Sequence, residues 1–337
     1  MSRVAVAEIT AILVSWGDAD DLEESVRSLA AARKLARAGL EVSLVVVGNA
    51  PGSVRAGRIG EIWPGAIVLE NPHNRGLGPA ANQGAAAASG DVLLFLNPDT
   101  RAEGDPFTPL AAGFEERSDA VALAPRLSDA SGGGSVPAGG RRLAPPSDED
   151  QFTFQLRRLP RLSSDVRELL LWEHVRPNGE GRRRARYADE DRGRPFAVEQ
   201  AAGAALAVRR ADFRAVGGFD ESFVPAWFED VDLCARLAAR GRILYWPASV
   251  FRHAGGVSSR RLGYDRFLPI LYANALRYRS KHYGLPARIA YRALLAMGMV
   301  LRLAALPFRP RPPRPRAEAA RAYSSVLRLA AGLGKRA

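Results

Sequence analysis

The 337-residue chain is poor in several residue types, and each shortage excludes a class of protein. A single cysteine, Cys234, rules out an internal disulfide and with it a disulfide-stapled fold. No apolar run approaches the roughly 20 residues that a membrane-spanning helix requires. Only three of the 48 basic residues are lysine. With 47% hydrophobic and 25% charged residues, the remaining composition is that of a globular protein and not of a disordered or fibrous chain.

Acidic residues are scarce at the C-terminal end. From Val250 to Ala337 there are 18 basic residues and two acids, so this segment carries a charge of +16. Because the whole chain carries +12, residues 1–249 carry −4. A basic region confined to one end argues against a nucleic-acid-binding surface along the whole protein.

Short apolar runs alternate with helical patterns over the first 125 residues. Runs that are apolar on both faces and separated by helices predict an α/β fold with a mostly parallel sheet covered by helices on both faces. The predicted strands are 9–14, 42–47, 66–69, 92–96, 121–124, 204–208 and 243–246. The first predicted helix runs from Asp20 or Asp21 to about Ala38. The further predicted helices span 79–88, 110–117, 165–172, 229–239, 264–283 and 287–306. The patterns divide the chain into a first half-domain (1–127), an irregular variable insertion (128–195), a second half-domain (196–263) and a basic helical tail (264–337).

A turn with one carboxylate follows the buried strand 92–96. It reads Asn97-Pro98-Asp99, and Pro98 ends the strand. Ligands of open parallel sheets bind at the carboxyl ends of the strands, so Asp99 is a candidate ligand for a divalent cation on a diphosphate. An Asx turn with no ligand would explain the same residue equally well.

A glycine-rich segment runs from Asn74 to Gly84 and opens the helix at Pro79. Its candidate ligand-binding residues are Asn74, Gly76, Gly78 and Asn82, because glycines let backbone amides approach a ligand and the helix N-terminus attracts anions. Gly76, Gly78 and Ala81 also fit a dinucleotide fingerprint, with Asp99 about 20 residues on. That match is weak because the segment lies in a later βα unit.

Two further patterns carry acid–base or metal chemistry. Glu229 and Asp230 begin a predicted helix directly after Trp227 and Phe228. These apolar neighbours would raise a carboxylate pKa towards the range in which it acts as a general base. Favourable interaction with the helix dipole is the simpler explanation of these acids. His253 is one of four histidines and follows a predicted strand, so it is a candidate metal ligand or a packed side chain.

In this order and at these intervals, the four segments resemble the family-2 glycosyltransferases of the GT-A fold, a Rossmann-like α/β fold, and in particular their bacterial rhamnosyltransferase-like branch. The resemblance covers about residues 7–284, apart from the irregular middle. It implies that Asp99 holds Mg²⁺ or Mn²⁺ on the diphosphate of a nucleotide sugar, together with His253 and next to Asn97. It also implies that Asp230, in the Glu229-Asp230 pair, is the general base.

The resemblance assigns Gly203-Ala204 to the segment that shapes the donor and acceptor pocket. Two positions depart from the family pattern. The second strand ends Val47-Gly48-Asn49, where the family usually has an Asp-Asn pair that contacts the nucleotide base. The first strand is followed by Ser15-Trp16-Gly17, where an asparagine is common.

The sequence therefore favours an inverting, metal-dependent glycosyltransferase that moves a sugar, with dTDP-rhamnose as a candidate donor, to a cell-envelope glycan or polyprenyl-linked acceptor. The alternatives are a dinucleotide-dependent oxidoreductase and a catalytically weak relative that binds membrane or nucleic acid. The run 4–14 contains Glu8 and lacks a cleavage site, so it is typical of a strand and not of a signal peptide. We therefore expect a cytoplasmic location. Arg288, Arg292 and Arg302 lie on one arc of the helix 287–306, and 309–316 adds four arginines. We expect this tail to attach the enzyme to the inner face of an anionic membrane, or to pack on the catalytic domain.

Overall fold

The structure is a computed structural model that describes residues 5–17, 19–129, 152, 154–170, 180–253, 262–308 and 315–333. Its strands are β1 (Glu8–Ser15), β2 (Glu41–Gly48), β3 (Ile67–Glu70), β4 (Val92–Leu96), β5 (Thr100–Ala102), β6 (Ala120–Asp129), β7 (Leu156–Arg157), β8 (Phe196–Val198), β9 (Gln200–Ala201), β10 (Ala205–Arg209) and β11 (Arg242–His253). Its helices are α1 (Ala19–Arg33), α2 (Ala56–Ile62), α3 (Leu77–Ala87), α4 (Phe107–Glu116), α5 (Leu162–Leu169), α6 (Glu180–Ala185), α7 (Arg210–Ala215), α8 (Glu229–Leu237), α9 (Tyr264–His282), α10 (Leu285–Ala305) and α11 (Arg316–Ala330).

A nine-stranded sheet carries the order β3-β2-β1-β4-β10-β6-β11-β5, with β8 paired to β11. Strands β3, β2, β1 and β4 are parallel, which confirms the predicted parallel half. Strand β10 is antiparallel to both of its neighbours, and β11 is parallel to β6. The sheet is therefore mixed, and β4 lies inside it with its carboxyl end at Leu96.

Helices cover both faces of this sheet, as the two-sided apolar runs predict. On one face, alternate residues of β1 such as Ile9 and Leu13 pack with Leu22 of α1 and Phe107 of α4. On the other face, an ideal Cβ at Gly84 of α3 would lie 2.7 Å from Ile12. A glycine is needed there because α3 lies directly against the strand.

The contacts divide the chain into two compact units. The first comprises residues 1–158, 190–225 and 229–255, and the second comprises 159–189, 226–228 and 256–337. This grouping differs from the division by sequence pattern, because part of the irregular insertion joins the C-terminal helices. The predicted helix near 165–172 corresponds to α5, whereas the glycine-rich stretch 131–134 and the arginine-proline stretch 309–314 lie outside the described residues.

The second unit has its own hydrophobic core. Leu169 of α5 packs there with Leu268 of α9, Leu295 of α10 and Val326 of α11. A buried ion pair joins Asp165 of α5 to Arg279 of α9. Within the part of the chain that the structure describes, no helix is both long and apolar enough to cross a bilayer.

Candidate active site

A tight turn places Asp99 at the carboxyl end of β4. The backbone N–H of Thr100 and its hydroxyl donate to the carbonyl oxygen of Asn97 at 3.1 and 2.7 Å. The N–H of Asn97 donates to the carbonyl oxygen of Ala204 at 3.0 Å, which ties the turn to the start of β10. Asp99 is only 7% exposed. The sequence prediction of an aspartate at the ligand-binding edge of the sheet therefore agrees with the position that the structure gives it.

Strand β5 brings His253 to this turn. Thr100 pairs with His253, the last residue of β11, so the residue after Asp99 lies opposite the histidine. The Nε2 atom of His253 lies 3.4 Å from Oδ1 of Asp99 and 3.4 Å from Nδ2 of Asn97. The ring of Phe154 stacks on the imidazole with a centroid distance of 5.9 Å, which fixes the ring plane. His253, which is distant in sequence, therefore forms one cluster with Asn97 and Asp99 of this turn.

The Asp99 and His253 pair fits a divalent cation. Two ligands in adjacent positions of an octahedral ion, each about 2.1 Å from it, lie about 3 Å apart, close to the observed 3.4 Å. One carboxylate and one imidazole leave other positions for phosphate and water, as Mg²⁺ and Mn²⁺ require at nucleotide sites. Among the described residues, no group of three or more histidine, cysteine, aspartate or glutamate side chains could hold a metal ion.

Asp230 lies at the N-terminal end of α8. Its Oδ2 atom accepts a hydrogen bond from the N–H of Gly203 at 3.0 Å, and its Oδ1 atom accepts one from its neighbour Val231 at 2.8 Å. Burial raises the pKa of Asp230, although both hydrogen bonds and the positive charge of Arg157 act in the opposite direction. A carboxylate that is held in place and has an elevated pKa can accept a proton from a hydroxyl near neutral pH.

The Gly203-Ala204 segment connects the two halves of the site. Gly203 donates its N–H to Asp230, and the carbonyl of Ala204 accepts from Asn97. Two consecutive residues thus bond to both the candidate base and the turn that carries Asp99. The resemblance assigned this segment to the pocket, and the structure places it between the two groups.

The segment from Asn74 to Gly78 is fixed by Asn49. The side-chain amide of Asn49 donates to Oδ1 of Asn74 at 3.0 Å and to the carbonyl of Gly76 at 3.1 Å. Its oxygen accepts from the Asn71 amide and from the N–H of Arg75. Asn49 is 2% exposed, so all of its hydrogen-bonding capacity serves this loop.

The chain itself occupies the space beside the two candidate glycines. Gly76 has φ = +96°, and an ideal Cβ there would lie 2.8 Å from Val224. An ideal Cβ at Gly78 would lie 3.4 Å from Phe219 and 3.8 Å from the Cβ of Glu229. The glycines therefore allow α3 to approach the segment before Asp230, and the buried Glu229 lies beside the start of α3.

Asn82 joins α3 to the Gly218-Phe219 turn. Its amide donates to the carbonyl of Phe219 at 2.9 Å and accepts from the N–H of the same residue at 2.9 Å. A second amide contact reaches the carboxylate of Glu221 at 3.0 Å. Asn82 thus connects the glycine-rich segment to the Gly217-to-Glu221 segment by hydrogen bonds.

Sequence reasoning missed three residues of the site. Phe154 and Arg157 lie within the irregular insertion 128–195 and belong to no motif, so no local pattern marks them. Arg157 pairs with Gln200 across β7 and β9, a long-range contact that spacing does not reveal. Asn49 could have been found from the sequence, since it is a polar residue directly after a buried strand.

Comparison with known proteins gives a family match and a fold match. Residues 10–163 match the family model described as Glycosyl transferase family 2. No curated protein sequence matches the chain. Among solved structures, the mannosyltransferase PcManGT from Pyrobaculum calidifontis, in complex with GDP-Man and Mn²⁺, is similar with a TM-score of 0.54 and 15% identity, over 98% of this chain and 88% of that one. GalNAc-T7 with UDP, GalNAc and Mn²⁺ is similar with a TM-score of 0.51 and 16% identity, over 92% of this chain and 59% of that one.

At these identities the structural likeness establishes the fold. The mixed sheet flanked by helices, followed by a C-terminal helical region, is the architecture of these GT-A glycosyltransferases. The chain has the GT-A fold, and its residues 10–163 match glycosyltransferase family 2.

Proposed function

We propose that the protein is an inverting, metal-dependent glycosyltransferase that moves a hexose from a nucleoside-diphosphate donor to an acceptor hydroxyl. The observation that carries the proposal is the Gly203-Ala204 link, which bonds on one side to Asp230 and on the other to the turn containing Asp99. A proton acceptor and a cation site thus share one rigid support. That arrangement suits a displacement in which the acceptor hydroxyl is deprotonated while the nucleoside diphosphate leaves the sugar.

Asp99 and His253 would hold Mg²⁺ or Mn²⁺, with Asn97 and Phe154 orienting the imidazole. When bound, the ion supplies charge neutralisation for the leaving diphosphate. The similar mannosyltransferase and GalNAc-T7 structures both contain Mn²⁺ with a nucleotide or nucleotide sugar, which supports this assignment.

Asp230 would accept the proton of the acceptor hydroxyl as that oxygen attacks the anomeric carbon. The amides of Gly203 and Val231 hold its carboxylate in one orientation. A single displacement inverts the anomeric configuration and requires no nucleophilic carboxylate, unlike a retaining double displacement. Glu229 is buried beside α3 and would fix the start of α8.

For the donor we propose a deoxysugar nucleotide such as dTDP-rhamnose, and for the acceptor a cell-envelope glycan or a polyprenyl-linked precursor. The branch resemblance and the basic C-terminal region, which suits an anionic membrane, support these choices. The enzyme would then act in the cytoplasm at the inner face of the membrane. The oxidoreductase alternative is disfavoured because protein atoms lie beside Gly76 and Gly78, where a dinucleotide would need open space.

A ligand-dependent thermal shift tests the donor and metal assignment. We expect dTDP, UDP or GDP to raise the melting temperature only with Mn²⁺ or Mg²⁺, and NAD to have no effect. Asp99→Asn and His253→Ala should abolish the metal-dependent shift. Glu103→Gln is the matched control, because this exposed carboxylate lies on the same sheet edge and pairs with Arg252. A full shift in Asp99→Asn, or a shift with NAD alone, would contradict the proposal.

The stereochemical outcome tests the mechanism. Nucleotide sugars would first be screened for hydrolysis or transfer by mass spectrometry. For the best donor, NMR of the initial product should show the anomeric configuration opposite to that of the donor. Retention would rule out a single displacement assisted by Asp230.

A further inference from the structure

Helix α10 exposes an apolar face to solvent. Seven residues define it, and we refer to them as the α10 face: Leu285, Ile289, Ala293, Met297, Val300, Leu301 and Ala304. Leu285, Ile289 and Val300 are 61, 58 and 51% exposed. At about 100° per residue the face covers an arc of about 160°, and no charged residue of the helix falls within it. An exposed apolar stripe of this size is unusual on a soluble surface and marks an interaction site.

The opposite side of α10 is already used. Tyr291, Leu295 and Met299 are buried in the core of the second unit. Arg302 donates to the carbonyls of Leu169 and Glu168 at 2.5 and 2.9 Å. Arg292 donates to the carbonyls of Leu329 and Ala330, both at 3.1 Å. Two of the three arginines that the sequence placed against a membrane therefore bond to the last carbonyls of α5 and α11, so the apolar face becomes the candidate contact surface.

The surroundings of the face favour an anionic partner. Arg288 and Arg292 lie at about 60° and 20° beyond its Leu285 edge. Arg328 is exposed on α11, whereas Arg321 of the same helix pairs with Asp265 at 3.2 Å. Asp265 and Glu318 are the only acids after residue 249. Two copies of the chain joined through this face by a two-fold axis would bring these like charges together. An apolar stripe with basic flanks instead fits the headgroup boundary of an anionic bilayer.

We propose that the α10 face inserts into the interface of an anionic membrane, with the helix lying in the membrane plane. This names the surface for the attachment proposed above. It can be tested without any donor or acceptor, so its failure is distinguishable from failure of the transferase assignment.

Flotation of the full chain with vesicles tests the surface. We expect binding to phosphatidylcholine vesicles that contain phosphatidylglycerol and much weaker binding to phosphatidylcholine alone. The double variant Ile289→Glu/Val300→Glu should lower partitioning by more than about tenfold, because two aliphatic side chains no longer enter the interface. Leu35→Glu is the matched control, since Leu35 is 62% exposed in the first unit. Melting temperatures of all three proteins show whether each is folded.

A labelled cysteine reports insertion directly. Because Cys234 is fully buried, Val300→Cys adds one accessible thiol for an environment-sensitive fluorophore. We expect a blue shift on anionic vesicles for this position and none for Leu35→Cys. Unchanged vesicle binding by the double variant would overturn the proposal. So would a lipid-free dimer that only the double variant dissociates, which would identify a second copy as the occupant.

A separate observation concerns the two residues before Glu229. Trp227 and Phe228 have φ values of +71° and +74°, a region that bulky residues rarely adopt and that costs free energy. The buried amide of Asn274 on α9 donates to the carbonyls of Ala226 and Trp227 at 2.8 and 3.1 Å. The Asn274 oxygen accepts from Arg277 at 2.7 Å, which fixes the orientation of the amide.

Aromatic contacts hold the same two residues. Trp227 packs edge-on against Phe267 at a centroid distance of 4.8 Å, and Phe228 packs against Tyr278 at 5.7 Å. We infer that Asn274 is a positioning residue, which keeps Trp227 and Phe228, directly before the start of α8 in sequence, in their left-handed conformation. This second inference rests on the proposed function.

Asn274→Asp is the sharpest variant. The carboxylate keeps the shape and the Arg277 contact but loses both N–H donors. We expect kcat to fall by about tenfold or more, the donor KM to stay within about twofold, and the acidic limb of the kcat–pH profile to move. Ser280→Ala is the control on the same helix, where the hydroxyl donates to the carbonyl of Leu276 at 3.0 Å. The positioning role would be overturned if Asn274→Asp and Ser280→Ala had the same kcat and pH profile. It would also be overturned if Asn274→Asp lost metal-dependent binding of dTDP together with kcat.

Discussion

At the scale of single residues, Asp230 is the candidate proton acceptor. Burial raises its pKa. Because the proposed mechanism requires its ionised form, activity should rise with pH through a range above that of an ordinary aspartate. We expect Asp230→Asn to lower kcat by about 10²- to 10⁴-fold while the metal-dependent dTDP shift persists. Enzyme assays across pH and thermal shifts would measure the two effects.

Glu221→Gln is the control for this variant. Glu221 is an exposed carboxylate of the same loop region, and a glutamine oxygen can still accept from the Asn82 amide. We expect its kcat and pH profile to match those of the wild type. Substantial activity in Asp230→Asn would assign the proton acceptor to another group.

Gly48 is the residue that departs most clearly from the family pattern, and Val54 accounts for it. An ideal Cβ at Gly48 would lie 2.6 Å from Cγ1 of Val54, a buried side chain. We expect Gly48→Asp to lower the free energy of unfolding by about 1–3 kcal/mol through overpacking. Gly48→Asp/Val54→Ala should recover part of this loss in urea unfolding. A single variant as stable as the wild type would show that the loop moves aside without cost.

The candidate site was predictable where a residue directly follows a strand or begins a helix. Asp99 and Asp230 are of this kind, because local patterning fixes where their backbone lies. The partners Phe154 and Arg157 were not, since Phe154 stacks on the distant His253 and the charge of Arg157 acts on the distant Asp230. The packing role of Gly76 was equally hidden, because it depends on the path of the distant Val224-Pro225 segment.

At the scale of elements, one crowded and one uncrowded helix glycine distinguish the effect of side-chain packing on stability from that of helix propensity. An ideal Cβ at Gly113 of α4 would lie 2.7 Å from the Trp246 ring, whereas Gly60 of α2 has no neighbour within 4 Å. We expect Gly60→Ala to raise the free energy of unfolding by about 0.5–1 kcal/mol, because alanine favours the helix. Gly113→Ala should lower it by about 1–3 kcal/mol, since overpacking exceeds that gain. Urea unfolding of both variants checks the opposite signs, and equal signs would contradict the packing of α4.

The pairing of α5 with α9 should give stability a pH dependence. Burial raises the pKa of Asp165 to about 6, despite the opposing charge of Arg279. The folded state therefore binds this proton more tightly than the unfolded state. The resulting stabilisation is complete below the ordinary pKa of 3.8 and is lost as pH rises through about 6.

We expect Asp165→Asn to remove this contribution to the slope of unfolding free energy between about pH 4 and about pH 7. Urea unfolding at several pH values measures it. Identical slopes in the two proteins would mean that Asp165 ionises as it does in the unfolded chain.

The strands β1 to β4, β6, β10 and part of β11 followed from hydrophobic periodicity, whereas their pairing did not. The short strands β5, β7, β8 and β9 and the helices α2, α6, α7 and α11 were not predicted. The strand 92–96 was predicted to the residue because it is uniformly apolar and is followed by Asn97-Pro98. The reversed direction of β10 and the pairing of β5 with β11 are set by tertiary contacts. A periodicity of two specifies a strand but not its neighbour.

At the scale of the whole molecule, the charge and the core are distributed unequally. The basic residues after Val250 lie mainly in the second unit, which has its own hydrophobic core. The sequence suggested a tail appended to a catalytic body. Helices α9, α10 and α11 share one core with α5, so the described part of the basic region belongs to a folded unit.

A pair of leucines on α10 tests this view. Leu295 is fully buried in the second unit, while Leu301 on the same helix is 41% exposed. We expect Leu295→Ala to lower the free energy of unfolding by about 2–5 kcal/mol through loss of burial and a residual cavity, and Leu301→Ala to change it by less than about 0.5 kcal/mol. Hydrogen exchange of the α9 and α11 amides gives a local readout, because these helices line the cavity left by Leu295→Ala. If both variants kept wild-type protection there, α10 would contribute no core and the basic region would behave as a loosely attached tail.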